Sequence, residues 1–384
     1  MLPQKDFKHA ARLRILYVTT RTEAEFGQTV RYRIFNLREA LRGVADTRFE
    51  ILQNGIWHDR ELLAWADIIV LIRVEWSPVV KQLIDTAAEL AVPTVFDIDD
   101  IVFLRQYADQ FSSIMNYNDE WRTYAKNSFG LYEDAFLHTF CASASTPFIA
   151  ERMQEAGKSA FVIHNGLNRR QLAIAARAGR ASSRGGPAPV RRIGYLSGTP
   201  THDHDFRQAL PAITRILREY PDVRLSVVGY LSDGLLPPEL CGQVETSHFM
   251  KWSRLLRVSA RNTINIAPLD IGNPFCHAKS ELKYYESAIV GVPTVASRTD
   301  TFERCIENGE NGMLASNDEE WYAALKLLLD DREAYDRIRG NAYEQVSRHY
   351  FPAAISGEAI TAYSAILELY GADSYRQQKR AGGR

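Results

Sequence analysis

The strongest constraint on this chain is a pattern stated twice: a short apolar run, a polar turn, then a helix with one apolar stripe. In the first half, RILYVTT (14–20), ADIIVLIR (66–73), VPTVFDID (92–99), FCASAS (140–145) and AFVIHNG (160–166) read as buried strands. Val30, Ile34, Leu37 and Leu41 follow the first of these at helical spacing, and 103–139 is a long, aromatic-rich helical stretch. The pattern restarts at RRIGYLSG (191–198) and continues through RLSVVG (224–229), NTINIAPL (262–269) and TVAS (294–297). Phe206, Ala209, Leu210, Ile213, Ile216, Leu217 and Tyr220 form the first helical stripe of this half, and Pro211 predicts a kink or a late start in it. Alternating β and α over both halves predicts an α/β protein with two parallel sheets covered by helices.

A length of 384 residues suits two domains. The expected divisions are 1–175, a linker at 176–190, 191–350, and a C-terminal segment at 351–384. The linker falls within RRQLAIAARAGRASSRGGPAPVRR (169–192), which has seven arginines and no acidic residue. It reads as a solvated hinge or as a cationic edge for an anionic acceptor or membrane headgroups. Lys plus Arg is 46 against 47 for Asp plus Glu, a near-balance that argues against a nucleic-acid partner. No apolar run approaches the ~18 residues of a membrane span, and the N-terminus lacks the apolar core of a secretory signal. Cys141, Cys241, Cys276 and Cys305 lie far apart without a CxxC, so neither a disulfide framework nor zinc is expected. The expectation is a cytoplasmic protein, with basic termini able to hold it at the inner face of an anionic membrane.

Chemistry-bearing residues gather where strands end, the usual ligand side of an open parallel sheet. In KSELKYYESAIVGVPTVAS (279–297), Ser280 is the expected N-cap and Gly291 and Pro293 end the helix. Lys279, Lys283 and Glu286 then fall within about 60° on one face. Two lysines at a helix N-terminus favour a diphosphate, and a carboxylate one turn deeper suits vicinal hydroxyls of a ribose. A plain surface helix with a Lys283–Glu286 pair is the alternative. In GYLSGTPTHDHDF (194–206), Gly198 permits close backbone approach, while Thr199, Thr201 and His202 can donate to phosphate oxygens. Asp203 or Asp205 could cap a helix there, and the His/Asp alternation is a weak metal signal.

In FDIDD (96–100), strand alternation puts Asp97 and Asp99 on one face and Asp100 on the other. Carboxylates this close raise a pKa or recruit a cation, which favours a site. In TTRTEAEFGQTVRYR (19–33), Gly27 allows a tight approach and Arg31 brings a cation to the start of a helix; Arg33 reads as ordinary helix surface. The absence of GxGxxG, GxxxxGK[ST] and GxSxG counts against dinucleotide oxidoreductases, P-loop NTPases and nucleophile-elbow hydrolases.

YYESAIVGVPTVAS resembles the LEAMACGVPVVAS signature of family-4 glycosyltransferases of the GT-B type. The opening RILYVTT with its Gly27 loop, VIHNG (162–166, against VIPNGVD), LSVVG (225–229) and ENGENGML (307–314, against DGENGLLV) add to the resemblance in the right order. It implies two Rossmann-like doubly wound domains facing each other across a cleft, with a C-terminal helix crossing back near 353–370. It also implies that Glu286 binds the ribose of a nucleotide-sugar donor (UDP-, GDP- or dTDP-sugar), and that transfer retains configuration without an obligatory metal. Three positions depart from the family pattern. Ala278 stands where the first glutamate of the paired acidic motif is usual, the SGTPTHDHD loop replaces an Arg and a Lys, and Asp99 replaces a histidine near the reacting sugar.

The expectation is therefore a glycosyltransferase acting on a glycan, a lipid-linked or another hydroxyl acceptor in polysaccharide or glycoconjugate synthesis. Lys279, Lys283, His202 and the helix N-terminus would steady the departing diphosphate, with Gly198, Thr199 and Ser280 lining the donor site. Asp99, with Asp97, would orient or deprotonate the acceptor hydroxyl or stabilise positive charge on the sugar, and the acceptor would enter from the first domain along the Gly27–Arg33 loop. The alternatives are a metal-dependent enzyme using Asp97-Ile98-Asp99 as a DxD motif, a nucleotide-sugar epimerase, and a sugar-nucleotide-binding scaffold without activity.

Overall fold

The computed structural model describes residues 12–21, 27–110, 119–182, 190–197, 203–232 and 234–382. The chain divides into two compact units, Met1–Gly166 with Pro352–Arg384, and Leu167–Phe351.

The first unit is built on a six-stranded sheet of order β2-β1-β3-β4-β5-β6, every pair parallel. Its strands are β1 (Leu13–Thr19), β2 (Ala45–Ile51), β3 (Ile68–Ile72), β4 (Thr94–Ile98), β5 (Cys141–Ala144) and β6 (Ala160–Val162). The central strands β3 and β4 are buried at every position, as a sheet covered on both faces requires. The order reverses at β1, so β1 and β3 flank the switch point where such sheets bind ligands. One face packs Val30, Ile34, Leu37 and Leu41, all predicted, from a helix over 28–40. That helix is α-helical over Gln28–Val30 and Leu37–Ala40, with a π stretch Arg31–Asn36 in its middle.

The same core is completed by the C-terminal helix, Pro352–Gly382, through Ile355, Ala359, Ala362, Tyr363 and Ile366. The Tyr17 and Tyr363 hydroxyls meet at 3.1 Å inside it, and His164 Nδ1 lies 2.7 Å from Glu358 Oε1 at its edge. The expected return of this helix to the first domain is thus observed.

The second unit repeats the plan with order β12-β11-β10-β7-β8-β9, again all parallel. Its strands are β7 (Arg191–Leu196), β8 (Val223–Val228), β9 (Val244–Ser247), β10 (Ile264–Ala267), β11 (Thr294–Ser297) and β12 (Met313–Ala315). Here the switch point lies between β7 and β10. Pro211 is accommodated as a late start: one helix ends at Arg207 and the next, Leu210–Glu219, carries the proline in its first turn. β7 and β10 approach closely at Gly194, where any Cβ would overlap the Asn262 amide.

The linker expectation changes at its first half. Residues 176–182 belong to a helix, Arg169–Ser182, in the second unit. Gln171, Ile174 and Ala175 are buried along one stripe of it, and that burial outweighs the arginine-rich composition. Among the described residues no helix is long and apolar enough to cross a membrane.

Candidate active site

In the second unit the helix Leu282–Ala288 delivers Lys283 and Glu286. Its seat is fixed from below by Asn265 of β10, which is buried and donates to Ser287 Oγ (3.0 Å) and Ser259 Oγ (2.7 Å). Ser287 Oγ in turn donates to the Lys283 carbonyl at 2.7 Å. Gly291 ends the segment at φ +75, the left-handed conformation expected of a glycine there. The start differs from expectation: Glu281, not Ser280, is the residue flanking the helix, and it makes no side-chain cap. Glu281 is buried, so packing places the boundary where local polarity would have put it one residue earlier. Lys279 lies outside the helix, in extended backbone after the short helix Pro274–Ala278.

Lys283 does not pair with Glu286. Its ammonium lies 5.2 Å from the centroid of the ring of Tyr195, near the end of β7 at the switch point, and Tyr195 packs at a tilt against Phe206 with ring centroids 4.7 Å apart. Burial draws the Lys283 pKa down to about 8; Asp205 opposes that shift and Lys279 adds to it. Glu286 accepts a 3.0 Å hydrogen bond from Nε2 of the buried Gln171. Gln171 is itself locked by reciprocal bonds with Asn168, at 2.7 and 2.9 Å. One carboxylate oxygen of Glu286 is thus held in place by a rigid amide.

Asp205 does not cap its helix in this arrangement. It sits inside the helix Asp203–Arg207, 7% exposed, and accepts from the Asp270 amide (3.1 Å) and the Cys276 thiol (3.4 Å). It therefore ties the segment after β7 to the one after β10. Burial, followed by Asp205, pushes the Cys276 thiol well up, so that cysteine is a neutral packing group. His204 Nε2 lies 3.0 Å from Asp270 Oδ2, and Asp203 accepts from the Ser232 amide at 3.3 Å. Among the described residues no cluster of three metal-ligating side chains occurs. Gly198, Thr199, Thr201 and His202 lie outside the described residues.

In the first unit the three adjacent aspartates are separated by their partners. Asp97, on β4, is 1% exposed and forms a two-pronged pair with Arg33 at 2.9 and 2.6 Å, and Ser143 Oγ donates to it at 2.6 Å. The catalytic role expected of Asp97 is therefore withdrawn: both oxygens are committed inside the core. The surface position expected of Arg33 is corrected too, since it is equally buried. Burial opposes its charge, yet Asp97 outweighs burial and the net shift is upward. Arg33 also donates to the Ile163 carbonyl and to Asn165 Oδ1 at 3.2 Å, and Asn36 donates to the Gly166 carbonyl at 2.7 Å. VIHNG is the joint these side chains close. With Asp97 occupied, Asp97-Ile98-Asp99 cannot offer two carboxylates to a cation, and the DxD alternative falls.

Asp99 emerges beyond β4. It accepts from Thr29 Oγ1 at 3.0 Å and lies 3.5 Å from Arg73 Nη1, with its side chain partly exposed. Arg73 follows β3 with φ +48, a conformation costly for a side-chain-bearing residue and common at functional sites. Burial opposes the charge of Arg73, while Asp99, Asp100 and Tyr132 hold it on. Asp100 bonds the Ile101 amide at 2.9 Å. Gly27 flanks the helix over 28–40 in extended backbone, and Arg31 bonds Gln28 and lies 4.5 Å from the Tyr32 ring. Asp205 was expected only as a cap or as part of a weak metal signal, and Gln171 and Arg73 were not foreseen. Of these two only Arg73 carried a signal, as a lone cation ending an apolar strand.

Residues 191–331 match the family model described as glycosyl transferases group 1. In fold the chain is similar to HepE of Anabaena, solved with UDP and glucose, at a TM-score of 0.62 and 14% identity, covering 92% of this chain and 100% of that one. It is likewise similar to sucrose-phosphate synthase from Thermosynechococcus elongatus (TM-score 0.60, 14% identity, 93% and 100% coverage). A putative UDP-N-acetylglucosamine 2-epimerase from Listeria monocytogenes follows (TM-score 0.53, 12% identity, 93% and 97% coverage). No curated protein sequence matches the chain. Fold and matched domain together define a glycosyltransferase of the GT-B type. Within that type the chain resembles family 4, and its group 1 domain lies in the second unit.

Proposed function

We propose that this enzyme transfers a sugar, with retention, from a nucleotide-diphosphate donor to a hydroxyl acceptor. The observation that carries the reading is Lys283, half-buried over Tyr195 at the switch point of the group 1 domain and one turn from the Gln171-anchored Glu286. A half-buried ammonium has a weak hold on water and gains most from a dianionic leaving group as charge develops on it. Lys279 adds a second cation, Ser280 adjoins both, and Gly198, Thr199 and His202 remain sequence-based candidates for the same phosphates. Glu286, with one oxygen fixed, keeps acceptor capacity for ribose hydroxyls. On the first unit, Asp99 is the group offered to the acceptor, with Arg73 3.5 Å away to orient it and Gly27 and Arg31 beside the same strand ends. No metal is required by these roles.

The complexes of HepE with UDP and with UDP-glucose support a uridine diphosphate sugar as the first donor to try. The acceptor class is a glycan or lipid-linked hydroxyl, in a cytoplasmic setting. The test is a panel of UDP-, GDP-, dTDP- and CMP-sugars scored by thermal shift, followed by turnover of the winning donor. Glu286→Ala should abolish the response; an unchanged response would remove Glu286 from the site. The epimerase fold neighbour gives the second reading, which predicts donor conversion with no acceptor present. Nucleotide binding without transfer or hydrolysis would instead favour the scaffold.

A further inference from the structure

Surface cations of the second unit are largely matched by carboxylates: Arg191 by Asp222, Arg218 by Glu239, Lys326 by Asp330, Arg332 by Asp336. One ridge breaks that habit. The helix Trp252–Ser259 exposes Arg254 and Arg257, with Lys251 just before it and Arg261 just after. The helix Arg169–Ser182 packs beside it and exposes Arg170 and Arg177. The two helices meet where the Arg170 guanidinium lies 5.4 Å from the centroid of the Trp252 ring. None of these six cations has an ion-pair partner among the described residues. Arg254 and Arg257 lie on the face turned away from the buried Leu256 and Ser259.

The sequence explains the imbalance: neither 169–192 nor 246–269 contains an aspartate or glutamate. Like charges held together repel, so a ridge without internal neutralisation is suited to an anionic surface outside the chain. A second feature separates a lipid surface from a soluble polyanion. Phe249, three residues before Trp252, is 72% exposed, the most exposed of the large apolar side chains described. Phosphate recognition alone gives no reason for a bare phenyl ring, whereas cations flanking an aromatic side chain match the headgroup and acyl layers of a bilayer. We propose that this ridge docks the protein on an anionic bilayer, its arginines on headgroup phosphates and Phe249 in the acyl boundary. The docking role is independent of which sugar or acceptor the enzyme uses.

The test is sedimentation of the full chain with vesicles of phosphatidylcholine alone or with about one third phosphatidylglycerol. The expected result is binding to the anionic vesicles only, lost at about 1 M salt, where screening is short-ranged. Each surface arginine contributes about fivefold, so R254A/R257A/R261A should weaken binding about 100-fold. Its unfolding midpoint and its thermal-shift response to UDP should stay unchanged. Phe249→Ala should weaken vesicle binding while leaving retention on heparin intact. Four outcomes overturn the proposal: no vesicle binding; equal binding to phosphatidylcholine alone; binding that survives the triple change, which would assign it to the basic tail; and loss of the UDP response in Phe249→Ala, which would assign the ring to the nucleotide.

Discussion

Lys283 illustrates how one side chain can carry both the chemistry and its pH limit. Burial draws its pKa down to about 8 from 10.5, so the apo protein loses this cation as pH rises through 8. An unfolded lysine keeps its proton up to the higher value. Between the two the unfolded chain binds more protons, and folding stability rises with pH across that window. Donor binding runs the other way, because the diphosphate needs the cation. The expected outcome is that kcat/KM for the donor falls above pH 8 and that Lys283→Met gives a lower but flat profile over the same range, read from initial rates. A second prediction concerns Gln171, whose amide fixes Glu286: Gln171→Ala should raise the donor KM about tenfold, the worth of one charge-assisted hydrogen bond, while leaving kcat within about twofold. Lys283 and Glu286 were legible because both sit in one contiguous motif. Gln171 was not, since it precedes Glu286 by 115 positions and lies in a segment whose arginines suggested a linker.

Among the elements, the helix over 28–40 depends on a contact no local pattern announces. Its apolar stripe was readable from spacing, but Arg33 shares a helix with other polar residues, and its partner Asp97 comes 64 positions later on β4. Only the folded sheet reveals that the two are buried together. Breaking such a pair leaves a lone charge in the core, so Asp97→Ala should cost about 3–5 kcal/mol in chemical denaturation. Asp99→Asn, by contrast, should leave the unfolding midpoint near its original value and lower turnover by at least about 100-fold. If Asp97→Ala folds normally but loses turnover, the assignments of the two aspartates are reversed. The edge strands β2 and β9 escaped prediction for a related reason. ADTRFEI and VETS carry polar residues on their exposed positions, so neither forms the apolar run that marks a central strand.

For the whole molecule, the repeated strand–turn–helix pattern was enough to give two parallel sheets, because periodicity records which faces are covered. It could not give the closing contacts of the first unit, which come from Ile355, Ala359, Tyr363 and Ile366 at the far end of the chain. Truncation ahead of Pro352 should therefore strip amide protection from β1 and β3 while β7 and β10 stay protected, as measured by hydrogen exchange. Equal protection of both sheets would show that the last helix is dispensable to the first core. Because the first unit takes its residues from both ends, it cannot be finished while the ribosome is still translating Leu167–Phe351. At ordinary elongation rates the nascent chain holds an uncovered apolar sheet for roughly 10–40 s. The middle portion has time to fold first, and a chaperone that shields the leading portion over that interval would raise the yield of intact enzyme.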